Sequence, residues 1–398
     1  HGSHVAGIIV GKKERTSSDK VGVAPEAKLA VYDIHAKDDT KIRKPTTYEA
    51  FEKMLGMGER AGAFVHSASW VSKEEHASHY KQSDKDIDTY LWRNHNNLVI
   101  LAAGNKGKKE GDRSVKHVGK NLICVCNAIS DYYVNSKSSR GPTDSGQIKP
   151  DICALGTNIR SAGVQTCDQV DKSGTSMAAP ALAGVALLIR QYFMEGWYPL
   201  GRKAAANAFV PSGYLVKAII MNSGKVLSER KDPKKGPRGT TEYDTVQGFG
   251  LVSLTDGIFI EGKSDMKRMQ VFDREVLTDA GSAWEKTLTI DSTDCASSYS
   301  SITLDYYDKP ASVSCTSCRM NHLDLSATKG STEYYPNGLA QVQNKNTSQR
   351  IRIENYNNGD TFVVKVKATS LESSDQKFAV VITGCFSWVN ENTVGFPS

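Results

Sequence analysis

Through about residue 260, short runs of apolar and β-branched residues alternate with stretches whose apolar positions recur at helical spacing. Runs 28–34, 62–67, 98–104 and 122–128 are near-continuously apolar, the pattern of strands covered on both faces. Segments 48–61 and 83–94 between them are long enough for helical crossovers, so an α/β unit with a parallel sheet is expected. Segment 176–195 is apolar nearly all round, which predicts a helix in the middle of a domain. Gly174 and Thr175 before it and Pro180 early within it mark its N-terminus, placing Ser176 in the first turn.

Beyond about residue 263 the period changes to strict alternation, in runs 286–290, 349–353, 361–367 and 377–383 separated by Asn, Gly, Ser and Asp clusters. That pattern predicts an all-β sandwich. At 398 residues the chain exceeds one comfortable core. The expected division is an α/β domain over 1–262 and a β-sandwich domain over 263–398.

Composition narrows the class. With 39% hydrophobic and 24% charged residues, the chain as a whole is not disordered, collagenous or coiled coil. The longest uncharged, mostly apolar run, 177–189, falls short of the ~20 residues a bilayer needs, so no membrane span is expected. Net charge is +6, a mild excess, and the densest basic stretch, 230–238, reads as a solvated loop, so no nucleic-acid partner is expected. The sequence opens on His1 and shows no charged segment followed by an apolar one, so no signal peptide is visible within it. Of eight cysteines, Cys315 and Cys318 have no second pair at zinc-ligand spacing. In an exported protein Cys295, Cys315, Cys318 and Cys385 would form two bridges, with three connectivities open and free thiols equally open. Asn346-Thr-Ser is a glycosylation sequon.

Three segments carry candidate chemistry: His1-Gly-Ser-His-Val-Ala-Gly7, Ala102-Ala-Gly-Asn-Lys-Gly107 and Gly174-Thr-Ser-Met-Ala-Ala-Pro180. In this order they resemble the three motif blocks of the subtilisin-like serine proteases, the subtilase family (peptidase family S8), with Ser3 where the family has Thr. The resemblance covers residues 1 to about 260. It implies a three-layer subtilisin-like parallel sheet and hydrolysis of peptide bonds through an Asp-His-Ser triad, with no cofactor required. Carried over by position, Ser176 is the nucleophile, His1 the general base and Asn105 the oxyanion donor. Ser69, Trp70 and Val71 match the strand that pairs with substrate backbone, facing Ala102, Ala103 and Gly104 across the first specificity pocket. Val71 stands where the family usually has Gly, which alters the pocket wall. His4 reads as a packing residue.

Segments 139–151 and 321–325 extend the likeness to subtilases with a C-terminal jelly-roll-like β-domain, which braces the protease unit and can hold calcium. His322 stands where an acidic residue is usual, so the metal ligands are undefined and calcium is only a structural option. The family's catalytic Asp precedes the His. The expectation is therefore a fragment, with N-terminal sheet strands and the acid upstream, and inactive as the chain stands. The alternative is a catalytically dead protease-like scaffold or binding module. Expected partners are polypeptide substrates and an upstream segment or propeptide, in a secreted or endomembrane, lysosome-like compartment. Other constellations fail: no Gly follows two after Ser176, as a nucleophile elbow requires, and His76-Ala-Ser-His79 lacks the Glu of a zinc-protease helix.

Overall fold

A computed structural model describes residues 1–12, 21–34, 45–71, 78–110, 112–130, 133–163, 168–227, 243–341 and 345–387. In chain order the first part forms α1 (Gly2–Val10), α2 (Tyr48–Arg60), β1 (Val65–Ala68), α3 (Gln82–Arg93), β2 (Leu98–Ala102), α4 (Gly107–Glu110), β3 (Ile123–Ala128), β4 (Ile152–Leu155), β5 (Ile159–Ala162) and β6 (Gln169–Lys172). Helices α5 (Thr175–Met194), α6 (Gly213–Ser223) and α7 (Leu254–Gly257) follow. Strands β1-β2-β3-β4 make a parallel sheet in that order, and β5 and β6 pair antiparallel.

Every residue of β2 and β3 is buried, as a sheet covered on both faces requires. Helix α5 packs against this sheet and against α1. It is long and apolar enough to cross a membrane by itself, but two-thirds of that apolar window is buried inside the protein. Helix α2 is amphipathic, burying Phe51 and Leu55, and the Thr47 hydroxyl caps it by accepting the Ala50 N–H at 3.3 Å.

Segment 28–34 is not the strand its apolar run predicts. Among the described residues no strand pairs with it, β1 is hydrogen-bonded only to β2, and Val31 is 78% exposed. An apolar β-branched run becomes a strand only where a neighbour satisfies its N–H and C=O groups. Here the pattern is present and the ladder is not.

The pattern changes to antiparallel sheets at β7 (Arg268–Leu277), followed by β8 (Ala283–Thr289), β9 (Ser300–Asp305), β10 (His322–Lys329), β11 (Thr332–Tyr334), β12 (Gln349–Ile353), β13 (Thr361–Ser370) and β14 (Gln376–Gly384). Sheets β11-β10-β13-β8 and β12-β9-β14-β7 enclose a core that includes Leu288, Ile302, Leu325, Phe362, Val364 and Phe378. Strand β9 is buried at all six positions because its second face, with β14, rests on α6, itself wholly buried.

Polar groups lock this contact. The Lys120 ammonium donates to Asp308 Oδ2 at 2.6 Å and to the Lys309 carbonyl at 2.5 Å, both side chains fully buried. Lys217 lies 3.4 Å from Asp305, Asn222 joins Thr383 and Thr303, and Arg350 donates to the Met221 and Gly224 carbonyls.

Disulfides join Cys295 to Cys385, Cys315 to Cys318 and Cys126 to Cys153, which resolves the open connectivities. Cys124 stays a free thiol, and burial pushes its pKa up. The glycosylation reading of Asn346 does not survive. Its side chain is buried, and its Oδ1 accepts the Ile148 N–H at 3.0 Å against the α/β unit, leaving no room for a glycan. The basic stretch 230–238 and His76 lie outside the described residues.

Candidate active site

Strand β2 delivers the first element of the site. Past its end, the Ala103 carbonyl accepts the Lys116 N–H at 3.0 Å and the Gly104 carbonyl accepts the Ser139 N–H at 2.9 Å. Gly104 has φ of +106°. A β-carbon there would come within 2.8 Å of Lys116 Cγ, so both conformation and space demand glycine. This turn sets Asn105, exposed, beside the start of α5.

Helix α5 delivers the second. Its first N–H groups have no partner within the helix, and one of them, the Thr175 N–H, is taken by Asn105 Oδ1 at 3.0 Å. The Thr175 hydroxyl lies 3.2 Å from the same oxygen and also 3.2 Å from the Gly104 nitrogen, whose N–H it accepts. With its oxygen committed, Asn105 has its NH2 group left to donate. Ser176, half-buried, follows directly in the first turn, where the helix dipole favours developing negative charge.

The third element continues β1. The Ser69 hydroxyl donates to the Ser176 carbonyl at 2.9 Å, and the Ser176 hydroxyl donates to the Ser69 carbonyl at 3.3 Å. The Trp70 carbonyl is turned the other way and accepts from His117 Nε2 at 3.1 Å. Ser69, Trp70 and Val71 are half-buried, whereas Ala102, Ala103 and Gly104 are buried.

Helix α3 fixes the loop that follows His117. Asp84 accepts the N–H groups of Val118 and Gly119 at 3.1 and 3.2 Å, and Asp88 accepts those of Lys120 and Asn121 at 2.9 Å each. Burial raises both carboxyl pKa values, opposed for Asp84 mainly by Lys81 and for Asp88 mainly by Lys120. Sequence reading missed Thr175, Lys116 and His117 as site-building residues. Thr175 lay in plain sight within the Gly174 motif, but nothing local marks the other two.

His1 is exposed at the N-terminus of α1, its side chain making no capping hydrogen bond, on a helix that packs against α5. His4 is buried, and its Nε2 donates to the Val170 carbonyl at 2.9 Å, so it packs.

The residues around 321–325 do not fit a calcium ion. Asp324 is paired with Arg319 at 2.8 Å and accepts from Thr369 at 2.7 Å. Asn321 Oδ1 accepts the Glu372 N–H, its Nδ2 donates to Ser373 and Gln376, and its backbone N–H donates to Asp308 Oδ1. No group of three His, Cys, Asp or Glu side chains suited to a metal occurs among the described residues.

The parallel sheet with its covering helices is the subtilisin-like α/β fold of the family matched below, and the antiparallel sheets that follow are a C-terminal β part. The model of the subtilase family (Peptidase_S8) matches residues 1–250, and the chain belongs to that family, whose members it resembles are serine proteases. It is 25% identical to the serine protease/ABC transporter B family protein tagD of Dictyostelium discoideum, over 66% of this chain and 20% of that protein. Bacillopeptidase F of Bacillus subtilis is 25% identical over 99% of this chain and 27% of its own length. Among solved structures, the patellamide maturation protease PatA is 20% identical over 65% of this chain and 82% of that one, with a TM-score of 0.47. The chain thus spans a fifth to about a quarter of these two curated relatives' length.

Proposed function

We propose that this chain forms most of the catalytic unit, and the bracing β-domain, of a longer serine endopeptidase. Ser176 is its nucleophile, His1 its general base and Asn105 its oxyanion donor, with the acid supplied by an aspartate upstream of His1. The observation that carries the reading is the commitment of Asn105 Oδ1 to Thr175, which leaves the amide NH2 to donate beside Ser176.

In the forward step His1 takes the Ser176 hydroxyl proton as the oxygen bonds the scissile carbonyl carbon. The carbonyl electron pair moves to an oxyanion held by Asn105 and the helix start, and the imidazolium then protonates the leaving amine as the C–N bond breaks. Water, deprotonated by the same imidazole, cleaves the acyl-enzyme. Substrate backbone would add alongside 69–71, across from 102–104, and no cofactor takes part. Three disulfides support an oxidising setting, either secreted or an endomembrane, lysosome-like compartment.

The second reading, a protease-like binding module, draws on one observation: the Ser176 hydroxyl is bonded to the Ser69 carbonyl. Hydrolysis of a succinyl-peptide anilide separates the two. The protein extended upstream through an aspartate-bearing segment is expected to cleave it. The 398-residue chain alone is expected to be at least ~10⁴-fold slower, from the ~3 × 10⁴ cost of losing the acid in subtilisin. Failure of the extended protein to cleave any peptide would favour the binding module.

A further inference from the structure

The bridged turn Cys315-Thr-Ser-Cys318 lies on the connection between β9 and β10, which ties the β-sandwich to the α/β unit on both sides of the turn. On its first flank the Ser314 N–H donates to the Tyr80 carbonyl at 2.8 Å, and the Tyr80 hydroxyl donates to Asp88 Oδ2 at 2.9 Å. On its second flank the N–H groups of Met320 and Asn321 donate to Asp308, the buried partner of Lys120, at 2.8 Å each. The bridge joins these two flanks.

The three disulfides differ in what surrounds them. Cys126 and Cys153 are wholly buried on the paired strands β3 and β4. Cys385 is buried as well, its N–H on Ser300 Oγ and its carbonyl accepting the Asp291 N–H, so its neighbours hold the sulfur in place for Cys295. Cys315 instead is half-buried on a turn, its N–H on the Ser312 carbonyl at 3.3 Å, with Val313, Ser314, Thr316 and Ser317 exposed around it. Exchange requires a sulfur that an incoming thiolate can reach, and an open bridge closes again fastest where both sulfurs are fixed.

We propose that Cys315–Cys318 is a thiol–disulfide exchange site, opened by a dithiol oxidoreductase and closed by oxidation, and that its opening releases Ser314 from Tyr80. The site lies outside the Ser176 machinery and stands whether or not Ser176 is a nucleophile. A thiolate of the reductant bonds the Cys315 sulfur as the Cys315–Cys318 bond breaks, and the Cys318 thiolate takes up a proton. The reductant's second thiolate then displaces the Cys315 sulfur, which is protonated in turn. Two electrons pass to the cysteine pair, and the reductant leaves as a disulfide. Cys318, packed in the same apolar core as Tyr80, stays in place, while Cys315 and the exposed residues beside it gain freedom.

The test uses the upstream-extended protein, folded and without denaturant, with excess reduced thioredoxin as the dithiol probe. Samples are quenched in acid, free thiols are alkylated, and mass spectrometry of the peptides gives the opening rate of each bridge. Cys315 and Cys318 should become alkylated together, at least about tenfold faster than either other pair. Hydrogen exchange then reads the consequence: the Ser314 amide should lose protection on reduction and regain it on reoxidation with oxidised glutathione. The double variant Cys315→Ser, Cys318→Ser should show the unprotected Ser314 amide throughout. If that variant does not fold, the wild-type rates and exchange decide. Opening of Cys295–Cys385 first, no opening of Cys315–Cys318 in the folded protein, or a Ser314 amide equally protected before and after reduction overturns the inference.

Discussion

Asn105 Oδ1 accepts both the backbone N–H of Thr175, at 3.0 Å, and its hydroxyl, at 3.2 Å, so one side chain caps helix α5 at the residue directly before Ser176. Two substitutions separate this cap from the proposed oxyanion role. Asn105→Asp keeps the acceptor and loses the donor; Asn105→Ala loses both. Each is expected to lower peptide turnover by about 10²–10³, the range measured for such a donor in subtilisin, a member of this family. Thermal melting should show a loss of about 1 kcal/mol for Asn105→Ala and less for Asn105→Asp. Full turnover in Asn105→Asp would remove Asn105 from the oxyanion role.

The Lys120–Asp308 pair joins the α/β unit to the β-sandwich in a fully buried setting. Removing the carboxylate in Asp308→Ala strands the ammonium and also releases the N–H groups of Met320 and Asn321. The expected cost is about 3–5 kcal/mol in urea unfolding of the full chain. A cost below 1 kcal/mol would mean that water reaches the pair.

Asp305 sets a pH dependence. Burial is the main cause that pushes its carboxyl from an ordinary 3.8 up to about 6, with Lys217 and Ser348 opposing. The folded state therefore holds this proton more tightly than the unfolded chain does. Its contribution to stability is fully present below about pH 4, declines as pH rises to about 6 and is level above that. At ~1.4 kcal/mol per pKa unit the decline amounts to about 3 kcal/mol. Urea unfolding of wild type and Asp305→Asn from pH 4 to 7 should show their stability difference shifting by about that much in favour of the variant. A pH-independent difference would contradict the shift.

The disulfides are expected to differ in weight because they close loops of different length. Cys295–Cys385 spans a separation of 90 residues and Cys315–Cys318 one of 3. Chain-entropy reasoning gives about 4–5 kcal/mol for the first and about 2 kcal/mol for the second. Paired Cys→Ala variants compared by guanidinium unfolding should show that order, and the reverse would locate the stabilisation in native-state contacts of the short loop.

Legibility of the sequence followed the range of the interactions involved. Strands β2 and β3 were readable because burial on both faces leaves an unbroken apolar run. The same reasoning misplaced 28–34, since whether a run becomes a strand depends on a partner that local sequence does not show. Helix α6 carried no amphipathic signal because every face of it is buried, Lys217 included. Ser176 and Asn105 stood in motifs with local chemistry, whereas the His117–Trp70 bond joins residues 47 apart with no motif around either. Asn346 was misread for a related reason, because its burial against Ile148 comes from packing between residues 198 apart.

Whether Ser176 is a nucleophile activated by its surroundings is read most directly by covalent labelling. The upstream-extended protein, treated with a fluorophosphonate and digested, should carry the label on the peptide containing Ser176. Label should approach one per chain and be absent in Ser176→Ala. Equal labelling of wild type and Ser176→Ala, or no label on that peptide, would contradict the account.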